Sequence, residues 1–600
     1  MTILEMGGIF GLVSNIRPVA PVIRIGLERL IHRGIDGAGV ATVYNGVIHV
    51  KKDAGKVTDV HSRLNLDDLP GYVGIGHVRS ATHGRPVYEN THPVQDCTGT
   101  VALVMDGVVS DYDEIRKRLM KRHRLVSRTD AEALAHMLED ELSSGKSMAE
   151  ALSSVTRQVK GYYTVAVLHK DEERIYALSM GNPLVIGVGD GEYFVSSEEQ
   201  AIPVKLNSVY FMEPNQLAVV SRDGVVFLNA STLGRIEPTP QVASQVVVEV
   251  VKGSFPHYMV KEIYEEPEVL ARAVNLLQRE YLNDAAMIVA KARNIIFTGS
   301  GTSYYASLIG KYYLEELAGV RADAVPAGEF PYIGARYIEP GTLIIAVSQS
   351  GESTDVIRAI RWAKRKGAII LGIVNRLGSA LMRESNVYLP MGAGPELAVP
   401  ATKSFVASVV MMLQLAYAVK GNVAEARELV NKAIGVLISQ LDKVRDDIRK
   451  VAKSLSSHGN AYVISGGPVG LPIAMETALK LKESAQVHSE AFSFREFKHG
   501  PITLVSREFP TIAIMPGNDI DEEIVNVISE VWSRGGYTVV ITQRGREVTG
   551  DQVIYVERVG NRLMVPLVYP SVIQLLAYEL GVARGVDVDN PHNLSKVVTT

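Results

Sequence analysis

Two stretches rich in hydroxyls and glycine carry the clearest chemistry in this chain: Gly299-Ser300-Gly301-Thr302-Ser303 and Ser348-Gln349-Ser350-Gly351-Glu352-Ser353. Each follows an apolar run and opens a helical pattern. Backbone N–H groups and the positive end of a helix dipole then face the same crevice as the hydroxyls, a phosphate cradle without a lysine. Ser and Thr also cap helices for local reasons alone, but two such loops in one unit favour a ligand. Glu476, Lys480 and Glu483 fall on one face of a helix, which by itself reads as a solvated ion-pair ladder. The stretch Glu496-Phe497-Lys498-His499-Gly500-Pro501 puts His499 in a turn where it can be presented to a site. The chain closes on Asn590-Pro591-His592-Asn593-Leu594-Ser595-Lys596, neither helix nor strand by pattern, and Lys596 taken alone reads as a solvated tail lysine. A single cysteine, Cys97, excludes a disulfide framework and a cysteine-based zinc site. Its place in a turn before an apolar strand reads as a turn or partly buried thiol.

The elements that must position these residues follow from periodicity. Between 7 and about 235, short β runs with Gly turns (YVGIGHV, TVALVMDGVV, YTVAVLHK) succeed one another, with helical patterns at Pro21 to Ile31 and Asp130 to Ser143, an α+β layered domain. A turn-rich stretch around Thr239-Pro240 begins a linker, 236–264. From 265 to 422, apolar β runs alternate with long helical patterns, which makes βαβ units and a parallel sheet. A helical connection at 423–457 leads to a second unit of the same plan, 458–585, followed by a tail, 586–600. The second copy has Ser465-Gly466-Gly467 at its first loop and Met515-Pro516-Gly517-Asn518 at the other, which lacks hydroxyls. One phosphate site per chain, in the first copy, is therefore expected.

Bulk properties bound the rest. With 600 residues the chain exceeds the ~250–300 that one core supports. Apolar residues are 46%, charged residues 21%, and the formal net charge of -4 is dispersed, so neither a nucleic-acid stripe nor a membrane anchor is expected. The most apolar stretch, Phe405 to Val419, is interrupted by Gln414 and is shorter than the ~20 residues of a bilayer helix. A cytoplasmic enzyme acting on small molecules fits.

The ordered motifs GSGTS, SQSGES, AVPATKSF, ETALKLKES, FKHGP and DVDNPHNLSK resemble the glutamine:fructose-6-phosphate amidotransferase family, which makes glucosamine 6-phosphate. The resemblance spans nearly the whole chain. It implies an N-terminal-nucleophile-type glutaminase-like domain followed by two α/β sugar-isomerase (SIS) domains with parallel sheets. It implies that Thr302, Ser303, Ser348, Gln349, Ser350 and Ser353 hold the sugar phosphate and that Val399 lines the site. Lys596 would form a Schiff base with the open-chain ketose, and His499 would assist ring opening from a neighbouring subunit, hence at least a homodimer. Glu483, supported by Lys480, would move the proton between C1 and C2. An enediol-forming isomerisation needs such a carboxylate base, and an amine can activate the carbonyl covalently. No metal or organic cofactor is implied.

The glutamine-site motifs match less well. Arg33, Arg79, Thr82, His83, Gly107 and Asp130 stand where the family keeps them, and Arg79 and Asp130 would read the carboxylate and amino group of glutamine. Gly7, in "MGGIFGLV", stands where the family has its nucleophilic cysteine. Asp106 replaces the oxyanion-hole asparagine, and Ser80 replaces a tryptophan that gates the ammonia channel. Without a nucleophile and with a carboxylate beside the oxyanion, hydrolysis by this route fails twice. The expected activity is amination and isomerisation of fructose 6-phosphate with ammonia, free or from a separate glutaminase. Glutamine dependence as in the family, the reverse deaminase reaction and a non-catalytic phosphosugar-binding regulator are the alternatives.

Overall fold

The computed structural model describes residues 7–600 apart from 81–83, 183, 241–251, 334–337, 518, 595 and 597–600, and only the backbone of residue 32. Contacts divide it into two units, one running to Glu249 and one spanning Val250–Lys596.

The first unit stacks helices, sheet, sheet and helices. One seven-stranded antiparallel sheet centres on Gly8–Ser14, between Glu192–Ser196 and Val73–Arg79. The other includes Val101–Val109, Gly161–His169 and Glu172–Ser179. Alternate residues of each, among them Ile9, Ile75, Val104 and Ala177, meet in a buried layer between the sheets. The outer faces carry their own cores, against Ala20–Arg29 on one side and against Asp130–Ser143 and Met148–Gln158 on the other. Gly8–Ser14 is covered on both faces, and every residue in it is buried.

The second unit holds two five-stranded parallel sheets of the same order. The first runs Asp323–Pro326, Asn294–Gly299, Thr342–Ser348, Ile369–Val374, Val387–Pro390. The second runs His488–Ser493, Asn460–Ser465, Thr511–Ile514, Thr538–Gln543, Gln552–Val556. In each, the first strand in sequence has its successor on one side and the third strand on the other. That reversal of strand order opens a crevice at the carboxyl ends of the two adjacent strands, where open α/β sheets bind ligands. The helices Lys403–Lys420, Val423–Leu455 and Val565–Ala583 join one face of each sheet in a single core. The apolar stretch at 405–419 is thus an interior helix. Among the described residues Arg562–Ala583 is likewise long and apolar enough to span a bilayer, but its apolar stretch is buried and only its ends, with Arg562 and Val582, reach the surface. A helix, Tyr258–Tyr264, lies inside the stretch expected to be linker and belongs to the second unit.

Candidate active site

Both hydroxyl-rich loops lie at the crevice of the first parallel sheet. Ser303 is in the first turn of the helix Thr302–Ala318, directly after the strand Asn294–Gly299. The neighbouring strand ends at Ser348, and Ser353 occupies the N-cap of Thr354–Arg365 without using its hydroxyl as a cap. The Ser348 and Ser353 oxygens stand 3.5 Å apart. The turn between them is folded by its own side chains: Gly351 N donates to Ser348 Oγ at 3.0 Å and Glu352 N to Ser350 Oγ at 3.1 Å. Glu352 accepts from Ala380 N at 3.0 Å, tying the turn to the next helix. Gly351 has φ +66°, and a Cβ there would strike Ser379, so only glycine brings this backbone so close. Ser348 and Ser350 are buried, while Gln349, Ser303 and Ser353 are partly open. Two helix N-termini and a set of hydroxyls stand at the carboxyl ends of adjacent parallel strands, an arrangement suited to a phosphate dianion.

Among the described residues the second copy has no such cradle. A Cβ on Gly466 would meet the Phe494 ring at 2.6 Å, and Ser465 Oγ is spent on Ile514 O. Gly517 N donates to Asp521, whose carboxylate also faces Arg546 at 3.1 Å.

What the second copy supplies is its opening helix, Gly467–Ala485. Thr302 Oγ1 of the first loop donates to Glu476 Oε1 at 3.2 Å. Lys480, fully buried, pairs with Glu483 and lies 3.5 Å from Glu476. The three side chains therefore form an interior network beside the first hydroxyl-rich loop, and the reading as a solvated ladder is corrected. Burial lifts Glu476 to about 7 against the pull of Lys480, whose own ammonium is held by the two carboxylates despite its burial.

Lys596 is also not the solvated tail residue its position suggests. Only 5% of its side chain is exposed, and its Nζ donates to Glu396 Oε2 at 2.5 Å. Glu396 accepts in addition from Thr402 N, Ser404 N and Ser404 Oγ. Burial opposes its charge, but Lys596 holds it ionised, at about 2. Glu262, on Tyr258–Tyr264, accepts from Leu397 N and Ala398 N, and burial beside Glu396 pushes it up to about 7. The tail is seated by Asp589, which caps that same helix through Tyr258 N and Met259 N, while its carbonyl accepts from Val399 N at 2.8 Å. The field of Glu396 reaches Lys480, so both charge networks act in one region. Glu396, Glu262 and Asp589 were not singled out by sequence. The only signal was the Gly394-Pro395-Glu396 turn ahead of AVPATKSF.

His499 is exposed, in the turn that follows Glu496–Lys498. Among the described residues no hydrogen bond or ion pair joins its imidazole to Lys480, Glu483 or Lys596.

In the first unit, Gly7, Arg79, Ser80, Asp106, Gly107 and Asp130 line one narrow cleft with His77. Thr82 and His83 lie outside the described residues. The free space is about 20 Å³, room for a single water. A Cβ built on Gly7 would lie 2.6 Å from Val78 O and closer still to the His77 ring. That ring is buried and lies tilted against His92, with centroids 4.6 Å apart. Burial, then Arg79 and Arg33, hold it neutral, at about 3. Asp106 faces Arg33 at 3.0 Å, and Arg33 also pairs with Glu198 and donates to Gly7 O at 2.9 Å. Burial lifts Asp106 to about 6 against this pairing. Asp130 accepts from Val109 N at 2.9 Å, and Arg79 donates to Gly84 O at 3.0 Å. The positions that the resemblance assigns to the nucleophile and an oxyanion donor hold a glycine and a carboxylate of a buried ion-pair network.

Comparison with known proteins agrees with this layout. A glutamine amidotransferase domain model matches residues 78–204, and a SIS domain model matches 288–418 and 454–582. Proteins named glutamine–fructose-6-phosphate aminotransferase (isomerizing) align end to end. That of Aeropyrum pernix is 38% identical over 99% of this chain and 100% of its own. Those of Thermococcus kodakarensis and Brucella abortus are 35% and 36% identical at the same coverage. The solved C-terminal domain of glucosamine-fructose-6-phosphate aminotransferase from Francisella tularensis superposes on 57% of this chain and 100% of its own, with TM-score 0.53 and 28% identity. With full-length identity of this order, the chain belongs to the glutamine–fructose-6-phosphate aminotransferase (isomerizing) family of enzymes.

Proposed function

We propose that this enzyme converts fructose 6-phosphate and ammonia into glucosamine 6-phosphate and water, and that it does not draw nitrogen from glutamine by itself. The phosphate is held by Ser303, Ser348, Gln349, Ser350 and Ser353, with Thr302 and Val399 flanking. Lys596 attacks the C2 carbonyl of the open-chain sugar and expels water. Ammonia displaces the lysine amine at C2, leaving a ketimine. Glu483 then takes a proton from C1 and returns one to C2 while the C1 hydroxyl proton passes to the imine nitrogen, so that C1 becomes an aldehyde and C2 carries the amine. Lys480 holds Glu483 in place. His499, which makes no hydrogen bond or ion pair with these groups among the described residues, serves the site of a second subunit, which makes the working form at least a homodimer. A soluble, cytoplasmic setting fits this chemistry.

The observation that carries the choice of nitrogen donor is Gly7. It offers no nucleophile, and the volume a side chain would need is taken by His77 and Val78 O. Asp106, fixed to Arg33, adds a carboxylate where the oxyanion would develop; losing even one oxyanion donor costs ~3–4 kcal/mol. We read the first unit as an N-terminal-nucleophile-type domain that has kept Arg79 and Asp130 and lost hydrolysis, a relic or a glutamine sensor. The ammonia is free or comes from a separate glutaminase. The test is product formation by the purified full chain from fructose 6-phosphate with ammonium or with glutamine. Product is expected with ammonium only, and equal turnover with ammonia-free glutamine would overturn the reading.

A further inference from the structure

Four side chains of the first unit, none of them used above, converge on one point. Cys97 sits in the turn between Val94–Gln95 and Val101–Val109, and His123 lies just beyond the helix Tyr112–Leu119. His136 and Glu139 are one turn apart on Asp130–Ser143, so they share a face. Cys97 Sγ is 3.6 Å from the Nδ1 atoms of both His123 and His136. Glu139 Oε2 is 3.0 Å from His136 Nδ1 and 3.2 Å from His123 Nδ1. All four candidate donor atoms lie within 4.8 Å of one another.

We propose that Cys97, His123, His136 and Glu139 form a closed, four-coordinate Zn²⁺ site. Zinc bonds of ~2.3 Å to sulfur and ~2.0–2.1 Å to nitrogen or oxygen, arranged tetrahedrally, require edges of about 3.3–3.6 Å between donors. Four of the six edges match that frame to within a few tenths of an ångström, and the other two, at up to 4.8 Å, would draw in on binding. The other nitrogen of each ring faces a carboxylate: His123 Nε2 is 3.0 Å from Asp140 Oδ1, and His136 Nε2 is 3.8 Å from Glu132 Oε1. Glu132 is held in turn by Val126 N and Ser127 N. The Asp140 carboxylate favours the His123 ring proton on Nε2 and leaves its Nδ1 lone pair aimed at the common centre, the usual support for metal-bound histidine, while Glu132 stands behind His136 beyond hydrogen-bond distance. A thiolate, two imidazoles and one carboxylate suit zinc rather than the all-oxygen demand of magnesium or calcium.

The single cysteine therefore excludes an all-cysteine site and not a mixed one; the missing ligands come from residues 26 to 42 positions further along the chain. With four protein ligands there is no open position for chemistry. The ion is a staple that pins the turn of Cys97 and the segment of His123 to the helix whose first residue, Asp130, lines the cleft at Gly7. It fixes that end of the first unit independently of what the second unit catalyses.

Because Cys97 is the chain's one thiol and is exposed, its reactivity reports the site directly. The full chain, stripped with a chelator and titrated with Zn²⁺ alone, should take up one ion per chain and lose at least 10-fold in the rate of Cys97 labelling by a disulfide reagent. Co²⁺ in its place should give tetrahedral d–d bands with a thiolate charge-transfer band. Asp140→Asn, which leaves all four ligands, should weaken Zn²⁺ about 10–100-fold. A wild-type chain that takes up no zinc, or labels equally fast with and without it, overturns the site; a hydrogen-bonded cluster without metal would behave in that way.

Discussion

Glu476 is charged against its surroundings, and replacing it measures how strongly. Its ordinary value of 4.5 rises to about 7 in the folded protein, with burial as the leading cause, Lys480 opposing and Glu483 adding to it. A carboxyl whose folded value lies above its unfolded one binds more protons folded than unfolded. Its stabilising contribution is complete below 4.5 and is lost as pH climbs through about 7. The distance from 4.5 to about 7, at ~1.36 kcal/mol per pKa unit, makes the loss about 3 kcal/mol. Glutamine mimics the protonated carboxyl and can still accept from Thr302 Oγ1. Glu476→Gln should therefore match the wild type at pH 4.5 and exceed its stability by up to about 3 kcal/mol at pH 8, with Lys480 still paired to Glu483. Urea unfolding of both proteins across that range, followed through the transition of the second unit, gives the difference directly. A variant less stable than wild type at pH 8, or one with an unchanged pH slope, would refute the reasoning and show that the Lys480 attraction outweighs the desolvation of Glu476.

Substitutions at four further positions separate roles within the sites. Lys596→Arg keeps a cation opposite Glu396 and should retain stability while losing all product formation; Lys596→Ala should lose both, with about 3–5 kcal/mol of stability gone because a buried carboxylate is left unpaired. Full activity in either protein, in a product assay, sinks the Schiff-base assignment. Ser353→Ala removes a hydroxyl that does not cap its helix, so the fold should be untouched while KM for fructose 6-phosphate rises about 10- to 100-fold, the ~1.5–3 kcal/mol of a hydrogen bond to a charged group. Gly7→Cys should release no glutamate from glutamine, alone or with Asp106→Asn, and calorimetry should show the first unit destabilised by about 1–3 kcal/mol from crowding against Val78 O and His77.

Features set by local pattern were legible in the sequence. The helices Asp130–Ser143 and Val423–Leu455 begin and end where the periodicity predicts, because amphipathic spacing and turn residues act within a few positions. The alternation of apolar strands and long helices carries the two parallel sheets, and the loops at Gly299 and Ser348 follow their strands for the same reason. What could not be read is what long-range packing brings together. Lys596 meets Glu396 across 200 residues, and nothing near Lys596 marks it as buried. Glu262 lies in a helix hidden inside an apparent linker. The ring of His77 at Gly7 is a consequence of strands pairing side by side, with Gly8 opposite Val78 and Ile9 opposite His77. The cluster at Cys97 needs three separate segments folded together before all four of its members meet.

The central claim is that the nitrogen of the product comes from ammonia. The purified chain, given fructose 6-phosphate with heavy-nitrogen ammonium and unlabelled glutamine, and then with the labels exchanged, allows the nitrogen in glucosamine 6-phosphate to be traced by mass spectrometry. The account predicts that the label follows ammonium in both mixtures. Label arriving from the glutamine amide, without prior release to the solution, would contradict it.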